Sequence, residues 1–435
     1  MTPAPQLSLG LLVKNNQKEI EGRLSRLFPL FKQVIAVDTG STDDTPHLLK
    51  ALGVQVLHKP FNDDFSELRN VYVEAATTPW ILSLDSDEWM NPSELDKLLQ
   101  LLGSVGEEVW GISPSIAIYH DDSKRLDSVF PKDDARLDPK MKAACLEKRL
   151  LCFRKNPIIR YRGIIHESVF KAILENRKKI LEVDILVHNY GYPGGNEKKQ
   201  NGKREWYRLL LEKQAKLTPK EPKPQQELGL SCLAAGEWDK ALKCFRKATE
   251  KKNYFEAFLG LGLVLAHQKK YSEALEVLQT ASADSKLKGR VFWERAQIHK
   301  QQKKNEEAEV CLKQALELVP NKIPVIWDII RLCQERERWH EGLLWFQELS
   351  KCMPPDLGFW YYQGVFYSAL NQLAEATRCF SKALELNPSH VPSLFNTAAL
   401  LTHQKQWKPC RDLLQRILKL DPKHESAEKM LLELS

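Results

Sequence analysis

Small residues recur along the second half of the chain at Ala241, Ala274, Ala308, Gly342, Ala376 and Cys410, at spacings of 33, 34, 34, 34 and 34 residues. The neighbouring positions keep step. Twelve residues earlier stand Gly229, Gly262, Ala296, Ile330, Gly364 and Ala398, and four residues later stand Phe245, Leu278, Leu312, Phe346, Phe380 and Leu414. Pro320, Pro354, Pro388 and Pro422 fall twelve residues after the last four. A period held this tightly leaves few folds open. Each unit is a helix pair whose apolar face stays uncovered until a neighbour packs on it, so the units must stack.

The unit resembles the tetratricopeptide repeat, which has this period, small residues where its two helices cross and a proline between units. The resemblance implies an all-α superhelix of six repeats over 227–435, with 423–435 as a capping helix; the fourth unit, with Ile330 at a small position, departs furthest from the pattern. Before the array, residues 217–226 hold three prolines among polar residues and read as a stiff linker. Residues 1–216 then form a separate domain. The length of 435 residues agrees with one domain plus an array, at about 150 residues per domain.

Composition removes several classes. With 43% hydrophobic and 28% charged residues the chain is neither disordered nor fibrous. A net charge of +7 over this length is thin support for nucleic acid, and no apolar run approaches the roughly 20 residues of a membrane span. The expected location is the cytoplasm. Nine cysteines without a Cys-x-x-Cys pair point to reduced thiols rather than zinc.

The first half alternates. Leu7–Val13, Val34–Val37, Val54–His58 and Trp80–Leu84 read as strands, with helices at 17–30, 45–52 and 64–76 between them. Such alternation predicts a parallel α/β sheet, whose ligands bind at the carboxyl ends of the strands. Those ends are polar. Val37 runs into Asp-Thr-Gly-Ser-Thr-Asp43, where a carboxylate suits a base or ribose and the following helix start suits phosphate, although N-capping by Ser41, Thr42 or Asp43 also explains it. Trp80–Leu84 runs into Asp85-Ser-Asp87-Glu88. Carboxylates two apart on an extended segment face one way and favour Mg²⁺ or Mn²⁺; a solvated acidic turn is the alternative.

The pieces also stand in one order: Val13-Lys14-Asn15, Val37 to Asp43, Asp64-Phe-Ser66 with Arg69-Asn70, Trp80 to Glu88, Arg149-Leu-Leu-Cys-Phe-Arg154, Tyr161-Arg-Gly163 with His166-Glu167, and His188-Asn-Tyr-Gly-Tyr192 with Lys203-Arg204. Over about residues 7–210 this is similar to inverting family 2 glycosyltransferases of the GT-A (Rossmann-like) fold, in particular bacterial members that carry tetratricopeptide repeats. One departure is Asn16, where many relatives carry Glu, and it leaves the role of the Lys14 loop open.

The resemblance implies roles. Asp38 binds the uracil or ribose, with Arg69 supporting the nucleotide. Asp87 binds a divalent metal, Mn²⁺ or Mg²⁺, and Asp85 binds the ribose or a metal-bound water. His188 is the expected further ligand. Glu167 is the expected general base, with His166 orienting it or touching the diphosphate. Lys14 and Arg149 join the nucleotide-sugar site. Residues 140–179 hold twelve basic and three acidic side chains, which read either as a positive rim round the diphosphate or as solvated charges.

The expected activity is metal-dependent, inverting transfer of a sugar from a nucleotide diphosphate, a UDP-sugar first. Relatives that pair the two modules include enzymes that glycosylate peptides, so a peptide or protein acceptor held with help from the repeats is expected. Two alternatives are a saccharide or lipid-linked acceptor, with the repeats forming a homodimer, and a catalytically inactive scaffold. Trp293, Trp327, Trp339, Trp345, Trp360, Tyr361 and Tyr362 line the groove in one reading and fill the array's core in the other.

Overall fold

The computed structural model describes residues 6–122, 125–190 and 197–434. The first elements follow the alternating pattern: β1 (Leu7–Val13), α1 (Gln17–Gly22), β2 (Gln33–Asp38), α2 (Thr45–Ala51), β3 (Gln55–His58), α3 (Phe65–Ala75) and β4 (Trp80–Asp85). The helix expected over 17–30 stops at Gly22, and two short 3₁₀ turns, Leu24–Arg26 and Phe28–Leu30, finish the connection. Gly22 and Pro29 are the poorest helix formers in that stretch. Next come β5 (Glu88–Met90), α4 (Pro92–Leu102), β6 (Val109–His120), β7 (Ser128–Val129), β8 (Ala143–Lys148), β9 (Cys152–Arg154), α5 (Phe170–Glu175) and β10 (Lys179–Asn189).

These strands form one sheet, with the order β3-β2-β1-β4-β9-β6-β10-β5 and with β8 on β6 and β7 on β8. The sheet is mixed rather than wholly parallel. β3, β2, β1 and β4 run parallel, but β9 is antiparallel to β4 and to β6, and β5 is antiparallel to β10. Both faces of the parallel part are buried. Leu7, Leu9, Leu11, Val34, Ala36, Leu82 and Leu84 face a core shared with Ile20, Leu49, Leu95 and Leu98 from α1, α2 and α4. Ile35, Val37 and Ile81 face the opposite way, onto Leu68, Tyr72 and Val73 of α3 and Ile173 of α5. Helices on both faces explain why these strands are nearly continuous apolar runs.

After β10, α6 (Glu197–Leu217) leads into the repeats. The stretch read as a linker at 217–226 is mostly helix: α7 spans Pro222–Ala234, and only 218–221 joins it to α6. Proline breaks a helix interior but suits its first turn, where its missing N–H is not needed. Gln225 donates to the Ala215 carbonyl at 3.0 Å and ties the two helices together.

The chain separates into two compact units, Met1–Asp284 and Ser285–Ser435, so the first unit takes in the first repeat helices. It adds α8 (Trp238–Thr249), α9 (Phe255–His267) and α10 (Tyr271–Ala281). The second unit holds α11 (Ser285–Gln301), α12 (Asn305–Leu318), α13 (Ile323–Glu335), α14 (Trp339–Cys352), α15 (Leu357–Ala369), α16 (Leu373–Leu386), α17 (Val391–His403), α18 (Trp407–Leu420) and α19 (Glu425–Glu433). The small positions are where large side chains from the partner helix enter. A Cβ on Gly364 would lie 2.7 Å from the Phe380 ring. Trp327, Trp339 and Tyr361 pack on Phe346, Phe366 and Phe380 within this core. On α19, Ala427 is buried against Leu414 and Ile417 of α18. Among the described residues no helix is long and apolar enough to cross a membrane.

Candidate active site

The carboxyl ends of β1, β2 and β4 lie on one edge, because the register pairs Val13 with Asp38 and Leu12 with Asp85. β9 brings a cation to the same edge. It runs antiparallel to β4 with Leu82 opposite Cys152, and extending that register sets Arg149 opposite Asp85. A cavity of about 810 Å³ opens here. Lys14, Arg69, Asp85, Asp87, Arg149, His166 and Glu167 line it, so seven of the nine residues singled out in the sequence meet in one place.

Arg69 is the centre of the arrangement. Its guanidinium donates to Asp85 Oδ1 at 2.7 Å and to Ser83 Oγ at 2.9 Å, and its Nε pairs with Glu167 Oε1. Tyr72 shares a hydrogen bond of 2.7 Å with Ser83, and the Tyr161 ring lies 5.5 Å from the guanidinium. Gly10 makes this possible, since a Cβ there would stand on the Tyr72 ring. Asn70, next along, holds Tyr161 by both its backbone N–H and its carbonyl, at 2.8 and 3.1 Å. Asp64 caps α3 by accepting from the Glu67 N–H.

The carboxylates differ in charge state. Burial works against ionisation of Asp85, but Arg69 and then Arg149 overcome it and hold that carboxyl below its ordinary range. Glu88 is fully buried, pairs with Arg149 and accepts from the Asp85 N–H at 2.9 Å. Burial, then the Asp85 charge, push its carboxyl up to about 7.

His166 and Glu167 arrive on a loop closed by a bridge between Arg162 and Ser168, with Gly163 at φ +103° and His166 itself at φ +51°. A non-glycine residue held in the left-handed region is a strained conformation of the kind that clusters at functional sites. Burial, with Lys223 and Arg149 nearby, lowers His166 to about 4, so the ring is neutral near pH 7.

Two expected residues lie off the cavity lining. Asp38 is buried; its Oδ1 accepts from the Ser41 N–H at 3.1 Å and its Oδ2 faces His58 Nδ1 at 3.1 Å, while Thr39 lines the cavity in its place. His188 is buried among Trp89, Tyr119 and Tyr190, with its Nδ1 2.8 Å from the Tyr119 hydroxyl. The β10–β5 register explains this: His188 sits opposite Trp89, so it supports the strand after the acidic turn rather than entering the cavity. In the same closing motif Gly191 and Tyr192 lie outside the described residues.

The Lys14 loop is stitched to the Asp38 loop. Asn15 N–H donates to Ser41 Oγ, Thr42 N–H donates to Asn15 Oδ1, and Asn16 N–H donates to Thr45 Oγ1. Asn16, the departure from the family pattern, also accepts from the Lys14 N–H at 2.8 Å.

The basic stretch at 140–179 is not a rim. Of its twelve cations, all among the described residues, only Arg149 lines the cavity. Arg154 caps the Val109 carbonyl, Lys155 the Ala76 carbonyl, and Arg162 pairs with Glu175.

Among the described residues no three His, Cys, Asp or Glu side chains stand together as a metal-holding group. A hard divalent cation at a phosphate site needs only one or two carboxylates, because the substrate's phosphates supply the other oxygens. Asp85 and Asp87, both on the cavity wall, fit that requirement.

Sequence reasoning passed over Tyr72, Ser83, Trp206, Tyr207, Lys223 and Glu227. The first two look like ordinary core positions. Lys223 falls in the stretch taken for a linker, and Glu227 lies on a helix read only for its small residues.

Residues 8–151 match the family model Glycosyl transferase family 2. Residues 227–288 and 289–322 match tetratricopeptide repeat models, and 330–434 match the middle TPR-like domain of cilia and flagella-associated protein 70. The chain carries a family 2 glycosyl transferase domain followed by tetratricopeptide repeats. It is similar to the SPbeta prophage-derived glycosyltransferase SunS of Bacillus subtilis, 24% identical over 296 residues, which cover 63% of each chain. The match thus spans about 63% of that relative's length. An uncharacterized glycosyltransferase of Rickettsia prowazekii is 27% identical over 103 residues, 24% of this chain and 35% of that one. A TPR repeat-containing protein of Synechococcus elongatus is 39% identical over 83 residues, 19% and 21% of the two chains. Among solved structures, the C-terminal part of a TPR repeat-containing protein of Cytophaga hutchinsonii covers 53% of this chain and 95% of its own, with 13% identity and a TM-score of 0.47.

Proposed function

We propose that this chain transfers a sugar from a nucleotide diphosphate, a UDP-sugar first, to a peptide or protein acceptor, with inversion at the anomeric carbon. One observation carries the reading: the Asp85–Asp87 strand end, Arg69, Arg149, Lys14 and the His166–Glu167 loop share a single cavity. Its volume of about 810 Å³ lies within the usual range for a small-molecule site.

In this reading the diphosphate leaves as the sugar–oxygen bond breaks and gains charge. Lys14 and Arg149 stabilise that charge from the cavity wall. Asp87 would hold a divalent cation, Mn²⁺ or Mg²⁺, which would supply the positive charge that neutralises the diphosphate. Asp85, kept ionised by Arg69, accepts from a ribose hydroxyl. Asp38 shapes the nucleoside end through Ser41 and leaves Thr39 to touch it. His188 drops out of the ligand set and braces β5.

Inversion is one in-line displacement and needs a base on the face opposite the leaving group. Glu167 is the proposed base, pinned at one oxygen by Arg69, with His166 beside it. The repeats favour a peptide or protein acceptor, because stacked helix pairs present an extended concave face.

The test is hydrolysis of a panel of UDP-sugars with Mn²⁺ by the wild type and by Asp87→Ala, followed by mass spectrometry of products formed in a host extract. Turnover by the wild type that Asp87→Ala loses supports the reading. A wild type that neither binds nucleotide nor turns over would sink it. Sugar found on a saccharide or lipid would replace the acceptor assignment.

A further inference from the structure

The first repeat helix reaches the transferase loop. His166 Nε2 lies 3.1 Å from Glu227 Oε2, and Glu227 belongs to α7. Tyr207 of α6 sits 3.0 Å from the same nitrogen, with its ring edge-on to the imidazole at 89°. The other Glu227 oxygen faces Lys223 Nζ at 3.8 Å, and Lys223 lines the cavity.

These contacts are not incidental to packing. The loop carrying His166 is fastened to α3 and α6: Phe65 N–H donates to the Ile164 carbonyl at 3.0 Å, and Ile164 N–H donates to Gln214 Oε1 at 2.7 Å. Ile164, Ile165, Leu210 and Leu211 form a buried cluster there, with Leu228 of α7 packed against it. The loop, α6 and α7 are therefore packed into one cluster, and His166, with its backbone in the left-handed region, has its ring against them.

We propose that Glu227 is a positioning residue for His166, which makes the first repeat helix part of the transferase site. The proposal rests on the transfer reading above. A neutral imidazole carries one N–H. When Glu227 is ionised, it accepts that N–H at Nε2, and Nδ1 keeps its lone pair on a ring that lines the cavity. When Glu227 is protonated, it donates to Nε2 instead, and the proton moves to Nδ1. The tautomer of His166 thus follows the charge of a residue on the repeats. The charged and titratable groups around the pair are Tyr207, Lys223, Arg149, Glu167 and, on the far side of α7, Tyr254. Burial raises Glu227 to about 7, against the pull of Lys223, so its charge changes near neutral pH.

The experiment uses the full chain. The His166 tautomer is read from ¹H–¹⁵N multiple-bond spectra, assigned by difference with His166→Gln, between pH 5.5 and 8.5. The wild type should pass from Nδ1–H to Nε2–H through about pH 7, and Glu227→Gln should remove that transition. UDP-sugar hydrolysis by Glu227→Gln should fall about 10–100-fold in kcat, with KM for the donor unchanged and the inflection near pH 7 lost. Glu227→Asp should restore part of kcat and the inflection. Lys223→Met should move the inflection to higher pH, because a lost cation favours the protonated carboxyl. A tautomer and pH profile that Glu227→Gln and Lys223→Met leave unchanged would overturn the proposal, whatever happens to kcat. If the wild type hydrolyses no UDP-sugar, the functional reading fails, but the spectra still decide the positioning role.

Discussion

At the scale of single residues, the site is a set of charges balanced by neighbours. Arg69 touches two carboxylates, and its removal takes the cation from Glu167 and leaves Asp85 facing Arg149 at 3.9 Å. Losing one partner of a buried pair costs about 3–5 kcal/mol, so Arg69→Gln should lower urea stability by that order. Adding Glu167→Gln should recover part of the loss in a double-mutant cycle. The His166–Glu227 pair gives a pH prediction. His166 binds its proton below 6.5 when unfolded but only below about 4 in the native site, so its contribution to stability falls as pH drops from 6.5 towards 4. Glu227 holds its proton up to about 7 in the native site against 4.5 when unfolded, so its contribution falls as pH rises through that window. The two slopes oppose each other. Glu227→Gln removes the second, and its melting temperature should fall more steeply than the wild type's between pH 6.5 and 4.5. How much of this was legible depended on position. Asp85 and Asp87 announce themselves as carboxylates at a strand end. Arg149 opposite Asp85 does not, because that pairing depends on an antiparallel register between residues 64 positions apart in the chain.

At the scale of elements, periodicity carried most of the information. The strands β1 to β4 and the helices between them follow from apolar runs and their spacing, and the repeat helices from the 34-residue period. β9 was not legible. Cys152-Phe-Arg154 is three residues long, too short for a pattern, and its place between β4 and β6 is set by the sheet. The repeat positions make a direct prediction. Gly364→Ala should destabilise by about 1–3 kcal/mol, because its Cβ meets the Phe380 ring at 2.7 Å and overpacking outweighs the helix propensity gained. Units with Ala at this position carry Leu sixteen residues on, as in Ala296 with Leu312 and Ala398 with Leu414. Gly364→Ala combined with Phe380→Leu should therefore lose less stability than Gly364→Ala alone, as measured by thermal melting.

At the scale of the whole molecule, the first compact unit does not end where the repeats begin. Met1–Asp284 is one compact unit, and α6 and α7 complete the loop that holds His166. A chain ending at Asp284 should keep a cooperative melt. A chain ending at Leu217 should aggregate, because it uncovers Leu210, Leu211 and Ile165 and leaves His166 without Glu227. The sequence alone determined the two kinds of architecture and the acidic strand end, since each rests on short-range spacing that neighbouring residues enforce. Which charges meet was decided only by the tertiary structure. The Arg69 hub, the exclusion of Asp38 and His188 from the cavity lining, and the entry of Glu227 from a repeat helix join residues far apart in the chain. Burial and register bring them together, and neither leaves a local pattern to read.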